Sequence, residues 1–185
     1  MVQFLDTAAA YAEIENIVNR AEKKLVLISP YIRISRLLLQ RLFQASENRG
    51  INITFVCRKK NFKPVEYTAL HRIPRLEILD LPNLHAKCFY NEKSMVITSL
   101  NLYDYSQTDN REMGILLTYE KEPGAFIDAV NEADFMMQLA TQVKANRVLA
   151  RLKGERVPAG DVSFFDIGEG LKRSFPTFAK ILSHK

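Results

Sequence analysis

LHAKCFYNEKSMVITSLNLYDYSQTDNREMGILL, residues 84–117, decides how the rest of the chain is read. Two apolar runs rich in aromatic and β-branched residues flank the polar triplet Glu92-Lys93-Ser94. That pattern predicts a hairpin with strands over 85–91 and 95–100. Side chains two apart on a strand share a face, so His85 goes with Lys87 and Ser99 with Asn101. With the turn centred on Lys93, Lys87 is expected opposite Ser99 and His85 opposite Asn101. An even-numbered loop would instead turn Ser99 and Asn101 to the other face. In the first register an imidazole, a fixed cation and two neutral hydrogen-bonding groups meet on one surface. Such a surface suits a phosphodiester, with charge for the phosphoryl oxygens and an imidazole to attack phosphorus.

Outward from the hairpin, helices and strands alternate. The stripe Ala10, Ile14, Ile17, Val18 predicts a helix over 7–24, with Asp6 or Thr7 as its cap. KLVLISPYI is expected as a buried strand ending at Pro30. A second helix is expected over 35–48, with Leu38, Leu39, Leu42 and Phe43 on one side and Gly50 just beyond it. INITFVC alternates and reads as a strand, followed by the basic loop 58–63. A short helix over 65–71 and the strand RLEILDL precede the hairpin. After it come a polar, turn-rich segment over 102–110, the strand REMGILLTY, and a helix from Pro123 to about Ala140. The basic segment 141–156 is read as more helix. This order predicts an α/β layered domain with a mixed β-sheet flanked by helices. One domain over 1–150 is expected, with a tail over 151–185 whose Phe164, Phe165, Phe175 and Phe178 argue that it docks on the domain.

Composition sets the outer bounds. The chain has 185 residues, 47% hydrophobic, which suffices for a proper core. Its net charge of +5 and pI of about 9.2 favour an anionic partner. Cys57 and Cys88 sit in apolar runs and read as reduced core thiols, which favours a reducing, cytoplasmic setting. The opening residues lack a basic leader followed by an apolar block, and no stretch reaches spanning length, so no signal peptide or membrane anchor is expected. Without paired metal-ligand spacings, neither a metal nor another cofactor is expected.

The stretch from His85 to Asn101 resembles the phospholipase D superfamily. His85 and Lys87 match that family's His-x-Lys, Glu92 stands where aspartate is usual, and Thr98-Ser99-Leu100-Asn101 stands for its Gly-Ser-x-Asn-like turn. Asn110-Arg111-Glu112 before an apolar strand matches as well, and the resemblance covers roughly residues 8–140. It implies a phospholipase D-like fold and a metal-independent phosphodiesterase. Many members carry two motif copies in one chain; this chain carries one, and the single-copy members it resembles are nucleases that pair as homodimers. On that resemblance one His85 attacks phosphorus to form a phosphohistidine, while the partner's His85 protonates the leaving oxygen and then activates water. Lys87 and Asn101 would hold the phosphoryl oxygens, Ser99 would support the site, and Glu112 would hydrogen-bond His85 and set its tautomer.

Each of these residues has an ordinary use too. A strand histidine, an edge lysine, a turn Ser and Asn, and a strand-start glutamate are commonplace, and only their combination favours catalysis. Arg58, Lys59, Lys60 and Lys63, with Phe62 among them, are either a solvated face or contacts to a nucleic-acid backbone. The expected activity is an endonuclease-type phosphodiesterase with nucleic acid, DNA foremost, as partner. Its alternatives are an inactive nucleic-acid-binding module with further protein subunits, or a phospholipid hydrolase.

Overall fold

The computed structural model describes residues 2–61, 64–102 and 110–142. Local chemistry sets the helix ends. Helix α1 (Thr7–Arg20) begins where Asp6 accepts the Ala9 N–H at 2.8 Å, and the expected stripe Ala10, Ile14, Ile17 and Val18 is its buried side. Helix α2 (Arg36–Arg49) begins where Ser35 accepts the Leu38 N–H at 3.1 Å. It ends at Gly50, whose φ of 68° lies in the left-handed region that a glycine enters without strain. Arg49 then donates to the carbonyls of Val18, Asn19 and Ala21, which closes the C-terminal end of α1. Phe43, read from sequence as lying on one side with Leu38, Leu39 and Leu42, is 42% exposed, because the fully buried face of α2 narrows to Leu42, Ala45 and Ser46.

Among the described residues, eight strands form one mixed sheet: β1 (Gln3–Leu5), β2 (Lys24–Ile28), β3 (Asn52–Cys57), β4 (Leu76–Asp80), β5 (Cys88–Asn91), β6 (Ser94–Thr98), β7 (Gly114–Thr118) and β8 (Thr141–Gln142). Their order is β1-β7-β6-β5-β2-β3-β4-β8. Strands β2, β3 and β4 run parallel, and the remaining pairings are antiparallel. The sheet has a core on each face. Leu25, Leu27, Ile53, Phe55 and Phe89 pack with α1, α2 and the end of α3 (Pro64–Leu70). Val26, Ile28, Val56, Cys88, Tyr90 and Met95 pack with Phe126 and Ala133 of α4 (Pro123–Leu139). A strand covered on both faces must be apolar at successive positions, which is why KLVLI does not alternate.

The hairpin corrects the expected register. Cys88 pairs with Ile97, Phe89 with Val96 and Tyr90 with Met95, so Lys87 falls opposite Thr98 and not opposite Ser99, the two-residue loop does not set His85 opposite Asn101, and the candidates share an end of the sheet instead of one strand face. The Thr98 N–H donates to the Lys87 carbonyl at 3.2 Å. The cause is Asn91: its side-chain oxygen accepts the N–H groups of Lys93 and Ser94 at 2.8 and 2.9 Å, which tightens the turn to Glu92-Lys93. Its amide also donates to the Ile17 carbonyl at 2.9 Å, fixing the turn against α1. Two further readings change. Strand β1, absent from the sequence reading, pairs with β7. Thr141 and Gln142, read as helix, pair with Asp80 and Leu79. Lys63, Phe62 and the tail over 151–185 lie outside the described residues.

Candidate active site

Register alone gathers the candidate residues at one edge of the sheet. Ile28 pairs with Cys88, Cys88 with Ile97, Thr98 with Gly114, and Gly114 with Leu5. The chain leaving β2, β3, β4 and β6 therefore emerges at the same edge as the chain entering β5 and β7. His85 and Lys87 lie just before β5, Ser99 and Asn101 just after β6, Glu112 just before β7, and Arg58, Lys59 and Lys60 just after β3. This is the edge outside the carboxyl ends of the parallel strands, where open α/β sheets bind ligands.

His85 is exposed and Lys87 half-buried. Their segment precedes the ladder, and its approach is held by Arg58, whose Nε donates to the Leu84 carbonyl at 2.5 Å. That contact gives Arg58 a structural task beside the nucleic-acid role read from sequence. The basic loop is tied down at two further points: the Lys59 N–H donates to Asp80 at 2.8 Å, and the Asn61 side chain donates to the Pro30 carbonyl at 2.9 Å. Lys60 between them is exposed.

The turn after β6 is held from both sides. Thr98 Oγ1 donates to the Met113 carbonyl at 2.7 Å and accepts the Leu100 N–H at 3.1 Å. The Ser99 N–H donates to the same carbonyl at 3.0 Å, and Ser99 Oγ accepts the Met113 N–H at 3.2 Å. On the other side, fully buried Ser29 accepts the Leu102 N–H at 3.2 Å, and the Arg33 N–H donates to the Leu102 carbonyl at 2.8 Å. Asn101 is carried between these clamps, and its Oδ1 is buried without a hydrogen-bond partner among the described residues. A buried acceptor of that kind is costly to leave unmatched.

Glu112 is fixed through its backbone. Thr7 Oγ1 donates to the Glu112 carbonyl at 3.0 Å and accepts its N–H at 2.8 Å, linking the start of α1 to the start of β7. The Glu112 carboxylate accepts the Ser99 hydroxyl; among the described residues no hydrogen bond joins it to His85. Thr7, Ser29 and Arg33 were not among the residues singled out from sequence for the site, since their contacts cross long stretches of chain. Glu92 stands at the far end of the hairpin. Its carboxylate accepts the N–H groups of Glu22, Lys23 and Lys24 at 2.6, 3.4 and 3.3 Å, so it serves the α1–β2 junction. Among the described residues, no group of His, Cys, Asp and Glu is arranged to hold a metal ion, and no helix is long and apolar enough to cross a membrane.

A family profile described as "Cardiolipin synthase, PLD-like domain" matches residues 14–133, and the chain belongs to this phospholipase D-like family. Among solved structures it is similar to Nuc from Salmonella typhimurium, a phospholipase D family member, at 14% identity over 78% of this chain and 99% of that one, with a TM-score of 0.60. It is also similar to NucT from Helicobacter pylori, at 15% identity over 77% of this chain and 99% of that one, with a TM-score of 0.63. Phosphatidylserine synthase from Haemophilus influenzae Rd KW20 aligns at 18% identity over 98% of this chain but 46% of its own length, with a TM-score of 0.64. No match was found among curated protein sequences. At these identities the structural likeness speaks for the fold.

Proposed function

We propose that this protein is a metal-independent phosphodiesterase that cleaves nucleic acid, DNA foremost, through a phosphohistidine intermediate at a site shared by two copies of the chain. The observation that supports the reading is that exposed His85, half-buried Lys87, Ser99, Asn101 and Glu112 all lie just outside β5, β6 and β7 at the same edge of the sheet. His85 attacks phosphorus, and the bond from phosphorus to the leaving oxygen breaks. The partner's imidazole gives that oxygen a proton, then takes one from the water that hydrolyses the phosphohistidine. Lys87 and the Asn101 amide meet the charge that builds on the phosphoryl oxygens. Glu112 acts through Ser99, whose hydroxyl it holds, and the pair keeps the 98–101 turn in place for the phosphate. Lys59 and Lys60 beside the edge supply sequence-independent attraction for a polyanion, in keeping with the net charge of +5.

The test is incubation of the purified protein with single- and double-stranded DNA and RNA in excess EDTA, beside His85→Ala. Cleavage that survives EDTA and is lost in the variant is expected. Retained DNA binding without cleavage would move the reading to an inactive nucleic-acid-binding module of a larger assembly. A phospholipid hydrolase is the second reading, favoured by exposed Met113 immediately beside Glu112. Release of a headgroup from phospholipid vesicles, with DNA left intact, would establish it.

A further inference from the structure

We propose that the groove between α2 and the end of α3 binds unpaired nucleotides flanking the phosphodiester held at the sheet edge. The inference rests on the nucleic-acid reading and gives that substrate a second point of contact. One wall of the groove is α2, with Arg36, Leu39, Gln40 and Phe43. The other is Ala69 of α3, with Arg72 and Ile73 just beyond the helix. The space between them is about 430 Å³, within the range of sites that take small ligands. Its floor is firm, because Ile73 belongs to the core and Leu39 packs against it. Arg36, Gln40 and Arg72 are exposed. The Phe43 ring, 42% exposed, is a large apolar group left open to a ligand beside two guanidinium groups.

Spacing and charge identify the occupant. Arg36 and Gln40 are four apart on α2, as are Leu39 and Phe43, so a polar row and an apolar row run side by side along the helix. The opposite wall repeats the mixture, with apolar Ala69 and Ile73 beside cationic Arg72. Among the described residues no acidic side chain lines the groove, and neither arginine is in an ion pair. A fitting ligand is anionic along one side and flat and apolar along the other. An unpaired nucleotide chain has that form, with phosphates for the arginines and a base for the Phe43 ring. A phospholipid is divided the other way, with its charge at one end. Position agrees with this occupant. Helix α2 opens at the edge that carries the site, and Arg33, three residues before Arg36, donates its N–H to the Leu102 carbonyl beside Asn101. Phe43 lies two turns further, about 10 Å along the helix. A strand that leaves the site past Arg33 meets the groove at its Arg36 end.

The test is binding of a fluorescein-labelled oligothymidylate of about 20 nucleotides, longer than the roughly 4–16 that a strand-binding groove covers. Anisotropy is read on the full chain carrying His85→Ala, so that the strand stays intact. Adding Phe43→Ala and Arg72→Ala is expected to weaken strand binding about tenfold or more, with a much smaller effect on a blunt duplex, whose bases are already stacked. Phe43→Tyr is expected to bind as the parent does. Unchanged strand binding in the combined variant overturns the groove and leaves the nuclease reading intact. Equal losses for strand and duplex reduce the effect to bare charge and overturn the ring contact. A parent that binds no nucleic acid overturns the groove and the nuclease reading together. Loss of phosphatidylglycerol-vesicle binding, with strand binding unchanged, assigns the groove to lipid and overturns the proposal. Should the combined variant melt early, photocrosslinking of an iododeoxyuridine-bearing oligothymidylate to the parent decides: a crosslink on the α2 peptide holding Phe43 is expected, and crosslinks confined to other peptides overturn the groove.

Discussion

Thr98 and Gly114 face each other across the β6–β7 ladder, and the side chain of one fills the space the other leaves. A Cβ on Gly114 would lie 2.8 Å from the Ile97 carbonyl oxygen and 2.9 Å from Thr98 Cβ. Where the family motif has glycine, this chain has threonine, and the small residue stands on the partner strand. The threonine needs no special backbone: among the described residues none but glycine has positive φ. Gly114→Ala is expected to destabilise the domain by about 1–3 kcal/mol through overpacking. Adding Thr98→Gly should return part of that cost, measured as a coupling of about 0.5–1 kcal/mol in a double-mutant cycle by urea unfolding. Strict additivity would show that the two side-chain volumes are independent.

Thr98 also holds the turn that carries Ser99 and Asn101. Thr98→Val keeps the shape and deletes the hydroxyl, leaving the Leu100 N–H without its partner. The expected cost is about 1–3 kcal/mol, and Thr98→Ser should recover most of it. On the proposed reading the valine variant lowers kcat more than it raises KM, since the turn meets charge that develops during reaction. Steady-state kinetics of both variants check this, and equal behaviour of Val and Ser would remove the hydroxyl from the account.

Glu92 gives the fold a pH dependence. Partial burial pushes its carboxyl upward, but its own backbone N–H and those of Glu22, Lys24 and Lys23 together outweigh burial and hold it below its ordinary value of 4.5. A carboxyl lowered in the folded state adds stability that is complete above the unfolded pKa and is lost as pH falls through the folded one. Wild type should therefore lose more stability between pH 6 and pH 3 than Glu92→Gln does. Denaturant unfolding at several pH values measures it, and parallel pH profiles would count against the carboxylate.

The two thiols are expected to be silent in the native protein. Burial pushes the Cys88 thiol up to about 12, and burial with the Asp80 carboxylate nearby raises Cys57 further. Neither is appreciably thiolate at neutral pH, and both are buried. Labelling by a thiol reagent should wait on unfolding and follow its rate. Fast labelling of Cys88 in native buffer would mean that the strand after Lys87 opens locally.

The basic loop separates into contact and support. Lys60→Ala should weaken DNA binding without changing stability, and should reduce the salt slope of binding by about 1. Arg58→Ala should lower stability, because it leaves the Leu84 carbonyl without its donor. Binding titrations over a salt series, beside thermal melts, distinguish the two; the reverse pattern would exchange their roles.

Much of this arrangement was legible in the sequence, because it follows from local patterns. The α1 stripe with its Asp6 cap, Gly50 at the end of α2, and the order of helices and strands are each written within a few residues. The His-x-Lys and Ser-x-Asn pairs stand out by their spacing. What escaped depends on distant partners. Strand β1 is three residues long and is a strand only because β7 lies beside it. The hairpin register hinged on Ser94, read as part of the turn; it instead opens β6, its N–H held by the side chain of Asn91 at the end of β5. Glu112 was assigned to His85 by resemblance, whereas its hydroxyl partner depends on how β6 and β7 end together. Arg58 reads as a free cation until the fold brings the Leu84 carbonyl, 26 residues away, within its reach.

The pairing of β1 with β7 has a consequence for how the protein is made. Strand β1 leaves the ribosome well before its neighbour, the strand that follows Glu112, and Thr7 can meet Glu112 only once both are made. Until that stretch is synthesised, His85 and Lys87 have no completed edge around them. On the proposed reading, a nascent or truncated chain is an unarmed one, and the nucleic acid that surrounds it during translation is not at risk from a half-built enzyme.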